Sequence, residues 1–257
     1  MIFIPLNDST ESRYGEIARK MLETGDWLVL HLEYGIPFWA KPPLSTWLSA
    51  FSMKCFGVNE FAVRLPGLLL SIGILWLIWD FAKKHSNAII AMAAVLILSG
   101  SLYFFLDAGT VMTDPALLFC NTLAMISFWR ASVEKNILAA YLFFISLGLG
   151  LLAKGPIILV LVGLPLFTWV LQHGYWAKIW RRLPWIQGLI LIALIAFPWY
   201  FLVEQRTPGF LNYFIVGEHF QRFLIPGWTG DKYGIAHNAP WGMIWVYIII
   251  GIFPWNL

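Results

Sequence analysis

Trp185-Ile-Gln-Gly-Leu-Ile-Leu-Ile-Ala-Leu-Ile-Ala-Phe-Pro-Trp-Tyr-Phe-Leu-Val203 runs without a single charged side chain. As a helix rising about 1.5 Å per residue, it reaches nearly across the ~30 Å hydrocarbon core of a bilayer. Six further stretches read the same way: 65–82, 87–106, 111–129, 137–152, 157–172 and 241–255. The fourth and fifth of the seven are separated by Ala153-Lys154-Gly155-Pro156. Lys-Gly-Pro is a poor helix interior, so a tight turn is expected there.

The whole chain of 257 residues agrees: 60% is hydrophobic, 17% aromatic and only 12% charged. A soluble core has nowhere to put so much apolar surface, which excludes an ordinary soluble enzyme and a disordered chain. Net charge is +3, from 17 basic and 14 acidic residues. That is too small an excess for a nucleic-acid partner. The two cysteines, Cys55 and Cys120, form neither a disulfide framework nor a metal motif. The expected fold class is all-α, a polytopic transmembrane bundle forming one membrane domain over 1–257.

Charge sets the orientation. Lys83, Lys84, Arg130, Lys135, Lys178, Arg181 and Arg182 fall on one set of short connections, with Asp80 and Glu134 the only acids there. By the positive-inside rule these loops are cytoplasmic, which puts segments 1–61 and 204–237 outside. Residues 1–6 are apolar but too short to span. A preceding span is therefore expected to carry the first segment across, and a longer protein is expected beyond residue 257.

The first outer segment predicts a helix over 11–24. Tyr14, Ile17, Ala18, Met21 and Leu22 share one face and charges occupy the others, a pattern suited to a membrane surface. A second helix, 42–56, opens on a proline pair and carries Lys54 as its only charge, as expected of an interfacial helix.

The unusual side chains collect on this outer side. Asp8, Glu11, Asp114 and Glu218 supply carboxylates; Arg13, Lys41, Lys154 and Arg222 supply cations; His219 adds an imidazole. Each has a plainer reading. Asp114 in Thr113-Asp114-Pro115 fits a helix cap, Glu218 and Arg222 fit an i,i+4 pair, and the rest fit a polar loop. Lys154 stands on the side where positive charge is not favoured, which points to an anionic partner such as a lipid phosphate. Jointly, phosphate-binding cations, a carboxylate base and aromatic walls suit sugar transfer from a lipid-linked sugar phosphate. The cations would stabilise the departing phosphate and the carboxylate would orient or deprotonate the acceptor hydroxyl. The prenyl tail would lie in a membrane groove.

Asp8-Ser-Thr-Glu11-Ser-Arg13-Tyr14-Gly-Glu16, Phe38-Trp39-Ala40-Lys41-Pro42-Pro43 and Phe56-Gly57-Val58-Asn59-Glu60-Phe61-Ala62-Val63-Arg64 resemble landmarks of one superfamily. It is that of the bacterial aminoarabinose transferases (ArnT-like) and protein O-mannosyltransferases. Thr113-Asp114-Pro115, Ala153-Lys154-Gly155 and Glu218-His219-Phe220-Gln221-Arg222-Phe223 follow in the same order. The resemblance implies a GT-C glycosyltransferase fold with juxtamembrane helices in its first outer loop. It also implies transfer from undecaprenyl phosphate, in the bacterial inner membrane and on its periplasmic side, to lipid A, another glycan or a protein. Family members are about twice as long, and the match is to their N-terminal half. The resemblance assigns Asp8 as base, with Glu11 the alternative. Arg13, Lys41, Lys154 and Arg222 fall on the donor phosphate, and Tyr14, Trp39, Asp114, Glu218 and His219 on the substrate site.

Two departures matter. Thr10-Glu11 stands where the aminoarabinose branch has Asp-Glu, and Ala40 replaces an acidic residue before Lys41. The second removes a carboxylate from any metal site. The sequence establishes no cofactor, and a divalent ion on His219 with Asp8 or Glu11 is the candidate. Two rival readings remain at this point: a transporter or flippase of lipid-linked substrates, and an inactive fragment of a split transferase. The ionisable groups sit at helix ends rather than mid-span, which favours surface chemistry over passage.

Overall fold

The structure, a computed structural model, describes residues 5–6, 8–225, 228–233, 240 and 242–256. Helix α1 (Ser9–Thr24) leads into a short antiparallel hairpin, β1 (His31–Glu33) and β2 (Ile36–Pro37), and then α2 (Leu44–Phe56). The bundle follows as α3 (Glu60–His85), α4 (Ala88–Gly100), α5 (Leu102–Ala108), α6 (Asp114–Ser132), α7 (Ile137–Lys154) and α8 (Ile157–His173). A short α9 (Trp176–Arg182) precedes α10 (Trp185–Arg206), a π-helix (Asn212–Gln221), α11 (Arg222–Leu224) and α12 (Met243–Gly251).

A helix stands in each of the seven predicted stretches, though not all are full crossings. Among the described residues α3, α7 and α10 are long and apolar enough to cross a membrane. The predicted 87–106 span is instead two helices bent by 72°. Ser101 leaves helical geometry just after Gly100, and its hydroxyl donates back to the Ile97 carbonyl at 2.7 Å. Glycine and a back-bonded serine together weaken the turn there. α6 has the length, but Asn121 and Arg130 dilute its apolar run. α8 is shorter, and only Met243–Gly251 of the 241–255 stretch is helical, with Trp241 outside the described residues. Asn59, Asn87 and Asn136 each accept a backbone N–H and cap α3, α4 and α7.

Membrane helices gain little from the hydrophobic effect against one another, so they pack through small residues. α6 and α7 meet in this way: Ala124, Ser127 and Ala131 of α6 and Ala140 and Ser146 of α7 are buried at the seam. α10 approaches α7 where Gly188 leaves room for the Phe144 ring. Outward faces are apolar, with Leu69, Ile72 and Trp76 of α3 and Leu194 and Phe197 of α10 all exposed. This is the surface of an integral membrane protein.

α1 corrects one expectation. Its apolar face does not lie on a membrane surface. Ile17, Ala18 and Met21 are buried in a core shared with Ala50, Val63, Val203 and Phe214, so the face docks α1 onto the bundle. α2 does the reverse. Thr46, Ser49 and Ala50 face inward while Phe51 and Phe56 are about 60% exposed, as an interfacial helix requires.

Candidate functional site

The end of the bundle that carries Lys154 is shaped by three local devices. At the first, Gly155 ends α7 with φ +83°, a backbone setting that favours glycine. A β-carbon here would lie 2.6 Å from Phe214 and 3.2 Å from His219. The glycine thus lets the Lys154 turn nestle against the π-helix. Gly155→Ala is expected to lower stability by about 1–3 kcal/mol through this overpacking and to reduce activity by shifting Lys154. Thermal unfolding of the purified protein checks the first effect.

The second device is the π-helix itself. Its wide turn brings residues five apart onto one face. The Tyr213 hydroxyl donates to Glu218 at 2.8 Å, and His219 Nδ1 lies 2.7 Å from the Phe214 carbonyl oxygen. π-helical turns recur at functional sites because they aim side chains in directions an α-helix cannot. Arg222 follows on α11, donating to Glu218 at 2.8 Å, with Asp231 a further partner at 3.4 Å. The expected Glu218–Arg222 pair is present, and Asp231 joins it.

The third is the segment 231–233. The Tyr233 hydroxyl donates to the Pro37 carbonyl at 2.9 Å and accepts the Trp39 N–H at 3.0 Å. Arg13 donates to the Tyr233 carbonyl at 3.1 Å. Lys232 lies 4.0 Å over the Trp39 ring. These contacts pin the Lys41 loop between α1 and the π-helix.

Lys154 and Asp114 form an ion pair at 2.6 Å. Asp114 is therefore not the side-chain cap that its position before proline suggested; α6 has no side-chain cap. Lys41 is half-buried and has no hydrogen bond or ion pair among the described residues. Burial pulls its ammonium pKa below the ordinary lysine value. Glu218 opposes that shift, Lys154 and Arg222 reinforce it, and Asp114 again opposes it. Tyr14 shares this surrounding: burial, then Asp114, push its phenol up to about 12, against Arg13. Lys41, Asp114, Lys154, Glu218, Arg222, Arg13, Tyr14 and Trp39 are thus gathered at one place, with His219 beside Gly155.

Asp8 and Glu11 stand apart from it. Asp8 is exposed and caps α1, one carboxylate oxygen accepting the Thr10 and Glu11 N–H groups at 3.2 and 3.3 Å. It is not among the charges acting on Lys41 or Tyr14. Glu11 is 4% exposed and accepts from Arg64 Nε at 2.7 Å, from Arg64 Nη2 at 2.9 Å and from the Val111 N–H at 3.1 Å. Its carboxylate is engaged inside the protein, with Arg64 and the Val111 N–H as partners. The candidate metal set changes. Glu11 is held by Arg64, and no group of three His, Cys, Asp or Glu side chains suited to an ion occurs among the described residues.

Two cavities flank the cluster. A polar one of about 590 Å³ is lined by Ser12, Arg13, Glu16, Lys20, Lys232 and Tyr233. An apolar one of about 610 Å³ runs beside α10, lined by Pro156, Ile192, Phe197, Tyr200, Leu211 and Ile215.

Against known proteins, the chain is similar to the undecaprenyl phosphate-alpha-4-amino-4-deoxy-L-arabinose arabinosyl transferases. It is 29% identical to that of Edwardsiella ictaluri over 95% of this chain and 44% of the relative. Identity to that of Yersinia enterocolitica is 32%, over 95% of this chain and 43% of the relative. The chain thus spans under half the length of the curated relatives it matches. Among solved structures, ArnT from Cupriavidus metallidurans bound to undecaprenyl phosphate superposes with a TM-score of 0.85 at 25% identity, covering 98% of this chain and 45% of that one. Residues 7–214 match the dolichyl-phosphate-mannose-protein mannosyltransferase family. That match takes in most of the chain, and the chain belongs to the dolichyl-phosphate-mannose-protein mannosyltransferase family.

Proposed function

We propose that this chain supplies the donor-binding and catalytic part of a membrane glycosyltransferase. Its reaction moves a sugar from undecaprenyl phosphate to an extracytoplasmic acceptor, of which lipid A is the leading candidate and another glycan or a protein the others. The enzyme resides in a bacterial inner membrane and works on its periplasmic side. One observation carries the reading: Lys41 is a half-buried cation without a direct partner, beside Lys154 and Arg222. A phosphate complements these cations in charge and supplies hydrogen-bond acceptors for them. The names of the relatives and of the superposed structure supply the polyprenyl phosphate. The apolar cavity beginning at Pro156, next to Lys154, suits a prenyl chain, and the polar cavity at Arg13 suits the sugar and acceptor.

In this mechanism Lys41, Lys154 and Arg222 hold the phosphate and stabilise it as the glycosidic C–O bond breaks. Trp39 and Tyr14 wall the sugar, while Glu218 and Tyr213 fix Arg222. Asp8, next in the chain to Ser9 of the polar cavity, orients the acceptor hydroxyl and takes its proton. It uses one carboxylate oxygen for the cap, and its other oxygen has no partner among the described residues. Asp114 is the second reading for the base, because its carboxylate lies in the cluster and is half exposed.

The test is mass spectrometry of lipid A, envelope glycans and glycoproteins from cells with the gene intact, deleted or carrying Asp8→Asn. A sugar mass lost in both altered strains would establish transfer and name the acceptor. Unchanged masses on deletion would sink the enzyme reading. A sugar mass lost on deletion but kept in Asp8→Asn would pass the base role to Asp114.

The lowered pKa of Lys41 adds a pH prediction. Phosphate binding needs the charged ammonium, so donor affinity should fall as pH rises through a value below the ordinary lysine 10.5. Lys41→Arg should remove that fall, because a guanidinium stays charged. Donor KM measured against pH for both proteins checks it.

A further inference from the structure

The other end of the bundle carries a second feature that the transfer reaction does not use. α9 lies between α8 and α10 and carries Lys178, Arg181 and Arg182. Arg182 is occupied by the Ser132 carbonyl. Lys178 sits 4.3 Å over the Tyr175 ring, and Arg181 is exposed. Neither has a carboxylate partner among the described residues. The two acids at this end are taken elsewhere, Asp80 by Arg130 and Glu134 by Lys84 and His85. The pair is therefore an uncompensated positive patch.

Next to it is an apolar cavity of about 430 Å³ between α7, α8 and α10, within the ~300–1,000 Å³ typical of ligand sites. Phe144, Gly163, Ile179, Trp180 and Trp185 help line it. The Trp185 indole N–H is buried and has no hydrogen-bond partner. An unpaired buried donor costs free energy unless an acceptor arrives. The cavity is reached from the lipid-facing side, where Phe167, Trp180 and Leu189 are more than half exposed.

We propose that this is a binding site for an anionic phospholipid of the leaflet at the basic end. One acyl chain fills the cavity, the phosphodiester meets Lys178 and Arg181, and a lipid oxygen accepts the Trp185 N–H. Charge complementarity selects an anionic headgroup over a zwitterionic one. Tryptophans beside Lys and Arg at a helix end mark headgroup depth, which puts the cavity at the start of the acyl region.

The test is native mass spectrometry of the full-length protein with phosphatidylglycerol or phosphatidylethanolamine in mixed micelles. Wild type should retain phosphatidylglycerol on the order of tenfold more strongly than phosphatidylethanolamine. Lys178→Ala combined with Arg181→Ala should abolish that preference. Gly163→Leu should abolish retention of both lipids. A β-carbon at residue 163 meets nothing within 4 Å, so a leucine enters without an initial clash and takes up part of the cavity that the acyl chain would use, and leucine favours the helix. Equal retention of the two lipids by wild type would overturn the proposal. So would unchanged selectivity in the double variant. Failure of wild type to retain either lipid, as when another part of a longer protein fills the cavity, would overturn it as well.

Discussion

Lys41→Met is expected to lower sugar transfer by roughly 10²- to 10³-fold, the usual cost of removing one donor aimed at developing negative charge. Methionine keeps the length and apolar stem of lysine, so the loop carrying Trp39 should hold its place on Tyr233. What disappears is a half-buried cation of the cluster that has no carboxylate partner among the described residues. Lys154 is committed to Asp114, and Arg222 to Glu218 and Asp231. Each can serve a phosphate only by sharing or exchanging its acid, so each contributes a difference between two ionic contacts. Lys41 contributes a whole one. Its substitution should therefore outweigh Lys154→Met in the same assay, measured as transfer from a lipid-linked sugar in membranes with matched protein levels. Near-normal transfer by Lys41→Met would remove the basis for the phosphate assignment.

Glu11→Gln should act on folding rather than on chemistry. It would leave the Arg64 guanidinium, 3% exposed, without its carboxylate inside the protein. Breaking a buried pair from one side costs about 3–5 kcal/mol, a large part of the stability of a typical domain. The Val111 N–H would also face a weaker acceptor. The expected result is little folded protein after extraction, read by size-exclusion chromatography and thermal unfolding. Asp8→Asn should behave in the opposite way, because asparagine caps a helix as well as aspartate does. A well-folded Asp8→Asn protein without activity and a poorly folded Glu11→Gln protein would separate the two carboxylates of one short motif. A stable Glu11→Gln protein would show that Arg64 has sufficient other partners.

Much of this was readable in the chain itself. The apolar runs locate the helices, and Lys154-Gly155-Pro156 marks the turn that the positive φ of Gly155 requires. Trp39-Ala40-Lys41-Pro42 identifies the loop whose lysine lies at the centre of the cluster. The hydrophobic face of α1 gave its position but not its partner. Apolar residues at helical spacing look the same whether lipid or protein covers them. Glu11 and Asp8 were inseparable for a related reason: a carboxylate's role depends on what faces it, and Arg64 lies far away in sequence. Arg64 did carry a signal, a charge at the start of an apolar span, which demands a partner. Tyr213, Asp231 and Tyr233 carried none, since they matter through backbone atoms and side chains that only the folded chain brings near. The bend after Gly100 was hinted at by Ser-Gly-Ser, yet hydropathy alone reads through it.

The π-helix also bears on how such a site can change over generations. A π-turn accommodates one more residue than an α-turn in the same axial span. Deleting a single residue between Asn212 and Gln221 could be absorbed by rewinding to α geometry. Pairs five apart, such as Tyr213 and Glu218, would become four apart and still share a face, so the chain beyond would keep its direction. Arg222 would then stay near Glu218 although the segment had lost a residue. In this segment chain length can vary by one residue at little cost to the arrangement, because the π-turn stores slack that an α-turn lacks.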